Sequence, residues 1–136
     1  MCTIRYRVSG TDVNDHMVME THAYYAYSLR HIYNFLNELG FSRQSLNKMK
    51  IYPHVQRTHL EIFKPLMFGI NFLIELKIGR YNYSSARFEM NFSYLNSSFE
   101  RCATMKSDLL IKSATSKEID NDISRKLMNQ IRIITD

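Results

Sequence analysis

Residues 20–40 read ETHAYYAYSLRHIYNFLNELG, and the reading of this stretch decides the fold. The spacing predicts one helix over residues 20–39. Thr21 offers an N-cap hydroxyl, and Gly40 stands just past the end, where a left-handed residue closes a helix. The apolar residues Ala23, Tyr25, Ala26, Leu29, Ile32, Tyr33, Phe35, Leu36 and Leu39 cover more than one stripe. The helix is therefore expected to be largely buried, at the centre of the fold. Each large apolar side chain buried there contributes roughly 1.5–3 kcal/mol.

On either side the pattern changes. Residues 4–9 alternate as a short strand, and residues 41–48 read as a polar connection. Beyond it, period-two alternation takes over. Ile70, Phe72, Ile74, Leu76 and Ile78 share one face; Ala86, Phe88, Met90, Phe92 and Tyr94 share another. Over 99–111 the stripe is Phe99, Ala103, Met105, Leu109 and Ile111, with Arg101 and Ser107 as exceptions. Residues 51–63 make a weaker strand with Leu60 and Ile62 on one side, and Pro65 and Gly69 mark the bend after it. Ile119, Ile123, Leu127 and Ile131 predict a terminal helix over 118–131. One α+β domain over residues 1–136 follows: an antiparallel sheet wrapped around one long helix. Such a sheet leaves an exposed edge, which self-association often covers.

Composition narrows the function. The 136 residues carry a net charge of +5 with scattered Lys and Arg, which reads as a solvated basic surface rather than a nucleic-acid footprint. No apolar stretch is long enough for a membrane span, and the N-terminus reads as a strand rather than a signal peptide, so a cytoplasmic protein is expected. Cys2 and Cys102 form no disulfide framework. His54 and His59 differ by an odd number and are expected on opposite faces of their strand, and no zinc or calcium spacing occurs, so no metal is expected. No Gly-rich phosphate loop is present, which disfavours nucleotide hydrolysis.

The chemistry-bearing segment is Thr11-Asp12-Val13-Asn14-Asp15-His16. It sets a carboxylate just before a helix N-terminus, where free N–H groups and the positive end of the helix dipole lie. A nucleophile or base facing a ready-made oxyanion site suits attack on a carbonyl. The competing reading of Asp12 is a turn residue.

The order of elements and their landmarks resemble the hotdog fold, and within it the 4-hydroxybenzoyl-CoA thioesterase-like family of small acyl-CoA thioesterases. Thr11-Asp12 fits the family's acidic element, His16 its histidine, and Tyr25 and Arg30 its helical positions. Glu61 to Gly69 resembles the bend between strands, Arg80 to Phe88 with Ser84 and Ser85 the following turn and strand, and Ala103-Thr104 a small-residue step in the last strand. The sequence departs from the family at Asp15, where Gly is usual, so the turn there is expected to differ; at Val18 and Met19, which replace a polar pair; and at His22, which replaces an aromatic.

The resemblance implies a thioester hydrolase acting on an acyl-CoA or an acyl-carrier protein. Asp12 would be either the nucleophile or the general base, and the Met19 backbone N–H would be the oxyanion donor. His16 would position substrate or water, with Glu20 as reserve carboxylate and Tyr25, Ser85 and Arg87 as substrate contacts. Arg57, Lys64, Arg80 and Arg87 are candidates for holding the phosphates of coenzyme A. No cofactor is implied beyond the coenzyme A or phosphopantetheine carried by the substrate. A homodimer is implied, or a tetramer built from dimers. Two further readings stand beside hydrolysis: a non-catalytic acyl-thioester binder, and another hotdog reaction such as dehydration.

Overall fold

The computed structural model describes residues 3–82, 87–114 and Lys126, Asn129 and Gln130. Strand β1 (Thr3–Arg7) leads through a 3-10 turn (Gly10–Asp12) to helix α1 (Thr21–Glu38). A second helix, α2 (Arg43–Met49), precedes four strands: β2 (Ile51–Ile62), β3 (Asn71–Asn82), β4 (Arg87–Leu95) and β5 (Arg101–Ser113). The strands form one antiparallel sheet in the order β1-β3-β4-β5-β2. This is the α+β architecture that the resemblance implies.

Alternation builds the inner face. Phe72, Ile74 and Leu76 of β3, Phe88, Met90, Phe92 and Tyr94 of β4, and Ala103, Met105 and Leu109 of β5 are buried in one core with α1. Tyr24 meets Tyr94 edge-on at 5.2 Å between ring centroids, and Tyr27 meets Phe72 at 5.1 Å. The buried side of α1 is one stripe two residues wide: Ala23 and Tyr24, Tyr27 and Ser28, His31 and Ile32, Phe35 and Leu36. Tyr25 and Leu29 are 40% and 43% exposed in the single chain, so the expectation of burial over more than one stripe is corrected. A helix lying against one concave sheet has one face to bury, so Tyr25 and Leu29 on its flank stay outside the core while Tyr33 only packs at its margin.

The helix ends as expected and begins differently. Gly40 takes φ 93°, with Gly40 N–H bonded to Asn37 O and Phe41 N–H to Leu36 O, which satisfies two terminal carbonyls. The N-cap is Glu20, one residue before Thr21, and no side chain caps that end. The polar connection expected over 41–48 is largely α2, whose N-cap Ser42 hydroxyl accepts the Ser45 N–H. Only Leu46 of that helix is buried, so no apolar stripe announces it. Phe99 lies outside β5, exposed, in a turn with φ 61°. Of the terminal helix over 118–131, only Lys126, Asn129 and Gln130 are described, and they are helical; the residues that predicted it lie outside the described residues, as do Cys2 and Ala86.

Of the three register shifts in the described sheet, two β-bulges, in β2 and β3, shape the outer face. Between Gln56 and His59, β2 spends three steps against two in β5; between Ile78 and Tyr81, β3 does the same against β4. Each extra residue inverts the alternation beyond it. His54 and His59 therefore point the same way, opposite the outward-facing Leu110 and Lys106, which corrects the parity expected from their spacing. They stand four residues apart along β5, too far to share one ion at roughly 3.4 Å per residue. Among the described residues no cluster of His, Cys, Asp or Glu is arranged to hold a metal.

Candidate active site around Asp12

The segment before α1 is held by short ladders on both sides. Glu20 N–H donates to Asp12 O at 2.8 Å and Asn14 N–H to Val18 O at 3.0 Å, bridging Val13 to Met19. On the other side Met19 N–H donates to Leu66 O at 2.8 Å and Phe68 N–H to Met17 O at 2.9 Å, bridging Val18 to Met67. Leu66 is buried, and Gly69, at φ 81°, returns the chain to Val8 through its N–H. The bend that Pro65 and Gly69 mark in the sequence is thus the strap that pins the entrance of α1.

That strap occupies the N–H that the resemblance offers as oxyanion donor. The Met19 N–H is committed to Leu66 O, so the expectation that it faces a substrate oxygen is corrected. Among the described residues, the N–H groups of Thr21 and His22, on the first turn of α1, meet neither a backbone acceptor nor a capping side chain. They are the open donors at this end, and the helix dipole adds to their attraction for negative charge.

Asp12 closes the 3-10 turn that begins after Ser9. Its Oδ2 accepts the Ser9 N–H at 2.9 Å, the Ser9 hydroxyl at 3.0 Å and the Tyr27 hydroxyl at 2.6 Å. Its Oδ1 has no hydrogen-bond partner among the described residues. Burial pushes the carboxyl upward, but the Tyr27 phenol, the Ser9 N–H and hydroxyl, and the Arg30 guanidinium together outweigh it and hold Asp12 below its usual 3.8. Arg30 lies 5.2 Å from the Tyr27 ring centroid. One oxygen is anchored and the other is open, which is the geometry a reacting carboxylate needs.

The other expected residues are placed less uniformly. His16 sits in an exposed turn, its N–H bonded to Asn14 Oδ1 at 2.9 Å. The left-handed residue of that turn is Met17, at φ 63°, rather than Asp15, so the missing Gly at 15 demands no special backbone there. Asn14 Oδ1 also accepts the Val18 N–H, and this side chain carries the turn. The Glu20 carboxylate is paired with His22 Nε2 at 2.7 Å. Tyr25 lies two positions from Tyr27, about 200° around the helix, and so faces away from Asp12. Ser85 lies outside the described residues.

Arg87 stands far from Asp12 within one chain. It pairs with Asn82 at one end of β3, whereas the Asp12 turn adjoins the other end through Val8 and Ile70. Eleven steps of strand separate those ends, on the order of 30 Å or more. Arg87 instead joins Arg57, Arg80, Glu89 and Asp108 around a 460 Å³ recess on the outer face. The two bulges bring Arg57 and Arg80 there. Arg57 and Arg87 approach Asp108 Oδ2 to 4.0 and 3.6 Å. Lys64, the fourth basic candidate, is ion-paired with Glu100 instead.

Two functional contacts lie outside the residues that the sequence singles out: Tyr27 and the Ser9 anchor of Asp12. The spacing Ser9-Gly10-Thr11-Asp12 is a capping-box pattern and is readable in advance. Tyr27, fifteen positions after Asp12, carries no local sign of its role.

Comparison with known proteins agrees with this architecture. A hypothetical protein of Aquifex aeolicus superposes with a TM-score of 0.85 at 15% identity, covering 96% of this chain and 99% of its own. A 1,4-dihydroxy-2-naphthoyl-CoA thioesterase from Synechocystis gives 0.81 at 14% identity, covering 96% and 94%. A hypothetical protein of Staphylococcus aureus in complex with CoA gives 0.82 at 14% identity, covering 96% and 83%. No curated protein matches the chain in sequence. Residues 6–127 match the thioesterase-like superfamily, and with the curled sheet wrapped on α1 they establish that the chain is a hotdog-fold member of that superfamily.

Proposed function

We propose that the protein hydrolyses an acyl-CoA or acyl-carrier-protein thioester at Asp12. The observation that carries this reading is the half-anchored carboxylate: Oδ2 holds three donors while Oδ1 is open, beside a helix start with two unfilled N–H groups. Asp12 attacks the thioester carbonyl or takes a proton from water that does so. The developing oxyanion is received by the Thr21 and His22 N–H groups. His16, exposed in the adjoining turn, is the candidate for placing the water.

The outer recess supports the coenzyme end. Three arginines against two carboxylates leave a net positive site, and guanidinium groups suit phosphate oxygens. Since Arg87 and Asp12 lie at opposite ends of β3, a single chain does not bring them to one substrate. Among the described residues β2 is an edge strand of the sheet, with Ile62 and Phe63 exposed at its end, which supports a homodimer that combines sites across chains. A dimer, or a tetramer of dimers, is expected by light scattering; a monomer would count against this assembly.

Free-thiol release from acyl-CoA and acyl-carrier-protein thioesters, followed for wild type and Asp12→Asn together, tests the reading. Asn keeps an acceptor for Ser9 and Tyr27, so the fold should survive. Loss of about 10²–10⁴-fold in rate is expected. Equal rates would remove Asp12 from the chemistry, and binding without any release would mark an acyl-thioester-binding protein instead.

A further inference from the structure

Tyr27 is buried, and its hydroxyl has two acceptors but one proton. Oη lies 2.6 Å from Asp12 Oδ2 and 3.0 Å from Arg7 O, the last carbonyl of β1. Both distances are within hydrogen-bond range, and a phenol donates once. The ring itself is fixed, edge-on to Phe72 at 5.1 Å and to Tyr6 at 5.2 Å, so only the hydroxyl proton is free to turn.

We propose that Tyr27 is a positioning residue whose single hydroxyl proton alternates between Asp12 and the Arg7 carbonyl as Asp12 loses and gains a proton. The catalytic use of this device rests on the thioesterase reading; the coupling itself does not. With Asp12 ionised, the carboxylate is the stronger acceptor and the phenol proton lies on Oδ2. With Asp12 neutral, the carboxyl accepts poorly and the proton turns to Arg7 O.

In either state the Tyr27 O–H has an acceptor, so the buried phenol proton is never stranded. In the general-base route, Oδ1 takes a proton from water as the C–O bond forms. The C–S bond then breaks, and that proton passes to the departing thiolate. The Tyr27 proton is never transferred; it only follows the charge on Asp12. The phenol is pushed up to about 12, by burial first and then by the hydrogen bond and charge of Asp12, so it remains protonated throughout. Arg30 of α1 is the charged side chain that acts on both groups. The other titratable side chains on the neighbouring segments are those of Arg7, Asp15, His16 and Glu20.

Carbon-13 NMR titration of the Asp12 carboxyl and the Tyr27 ring carbon bearing the hydroxyl, in the intact protein, tests the proposal. In wild type the two carbons should titrate together, with one acidic midpoint. In Tyr27→Phe the Asp12 midpoint should move to higher pH, and the acidic limb of the thiol-release profile should move with it. A Tyr27 carbon that ignores the Asp12 titration overturns the proposal without recourse to a variant. An unchanged Asp12 midpoint in a folded Tyr27→Phe overturns it as well. If wild type releases no thiol, the thioesterase reading falls, while the two titrations still decide the coupling.

Discussion

Tyr24 and Tyr94 offer a paired test of the core beside the site. Both rings are completely buried and meet edge-on at 5.2 Å. Their hydroxyls differ. Tyr94 Oη donates to the Tyr24 carbonyl at 2.8 Å, whereas Tyr24 Oη has no hydrogen-bond partner among the described residues. The Tyr24 hydroxyl lies beside the Leu66 backbone, which tempers the upward push of burial on its pKa, but outside hydrogen-bonding geometry. Replacing each by Phe removes one oxygen and leaves the ring pair intact. Tyr94→Phe loses a made hydrogen bond, at a cost of about 1 kcal/mol; the Tyr24 carbonyl keeps its helical partner, so no acceptor is orphaned. Tyr24→Phe removes a buried hydroxyl that lost its water and gained nothing, and should stabilise by about 0.5–1 kcal/mol after allowance for the small void left. The two variants should therefore differ by about 2 kcal/mol with opposite signs. Urea midpoints at one protein concentration read this directly, since self-association would otherwise move them. In thermal unfolding each kcal/mol is about 3–5 °C for a domain of this size. If Tyr24→Phe is destabilised as much as Tyr94→Phe, the Tyr24 hydroxyl has a partner and the reasoning fails.

The carboxyl of Asp12 should also mark the acid stability of the protein. Its folded pKa is held below the 3.8 of the free group, so its contribution is present above that value and is lost as pH falls through the folded pKa. Urea midpoints measured from about pH 6 down to pH 2 should fall less steeply for Asp12→Asn than for wild type; parallel curves would show that Asp12 is not held. On the outer face, Arg87→Gln should raise KM for acyl-CoA substrates and leave acyl-pantetheine, which lacks the nucleotide phosphates, unaffected. Equal loss on both substrates would place Arg87 outside the phosphate site.

Much of this protein was written along the chain. The stretch 20–40 specified its helix through periodicity and Gly40, and alternation over 70–111 specified the strands, because both depend on local repeats of 3.6 and 2 residues. The Thr11-Asp12 motif, placed before that helix, pointed to the family and to Asp12. Three matters lay beyond local pattern. Tertiary packing decided that α1 buries Tyr24 and Tyr27 and leaves Tyr25 out, since only the sheet's position selects one stripe among several apolar ones. Bulges at Arg57 and Gly79-Arg80, which no composition announces, reversed the parity of His59 and gathered three arginines around Asp108 and Glu89. The strap at Leu66 took the Met19 N–H, and Tyr27 reached Asp12 from two turns down the helix. A hydrogen bond between residues far apart in sequence has no period to betray it, so the chain by itself determined the elements and their order, and the folded contacts decided which of their atoms are free to react.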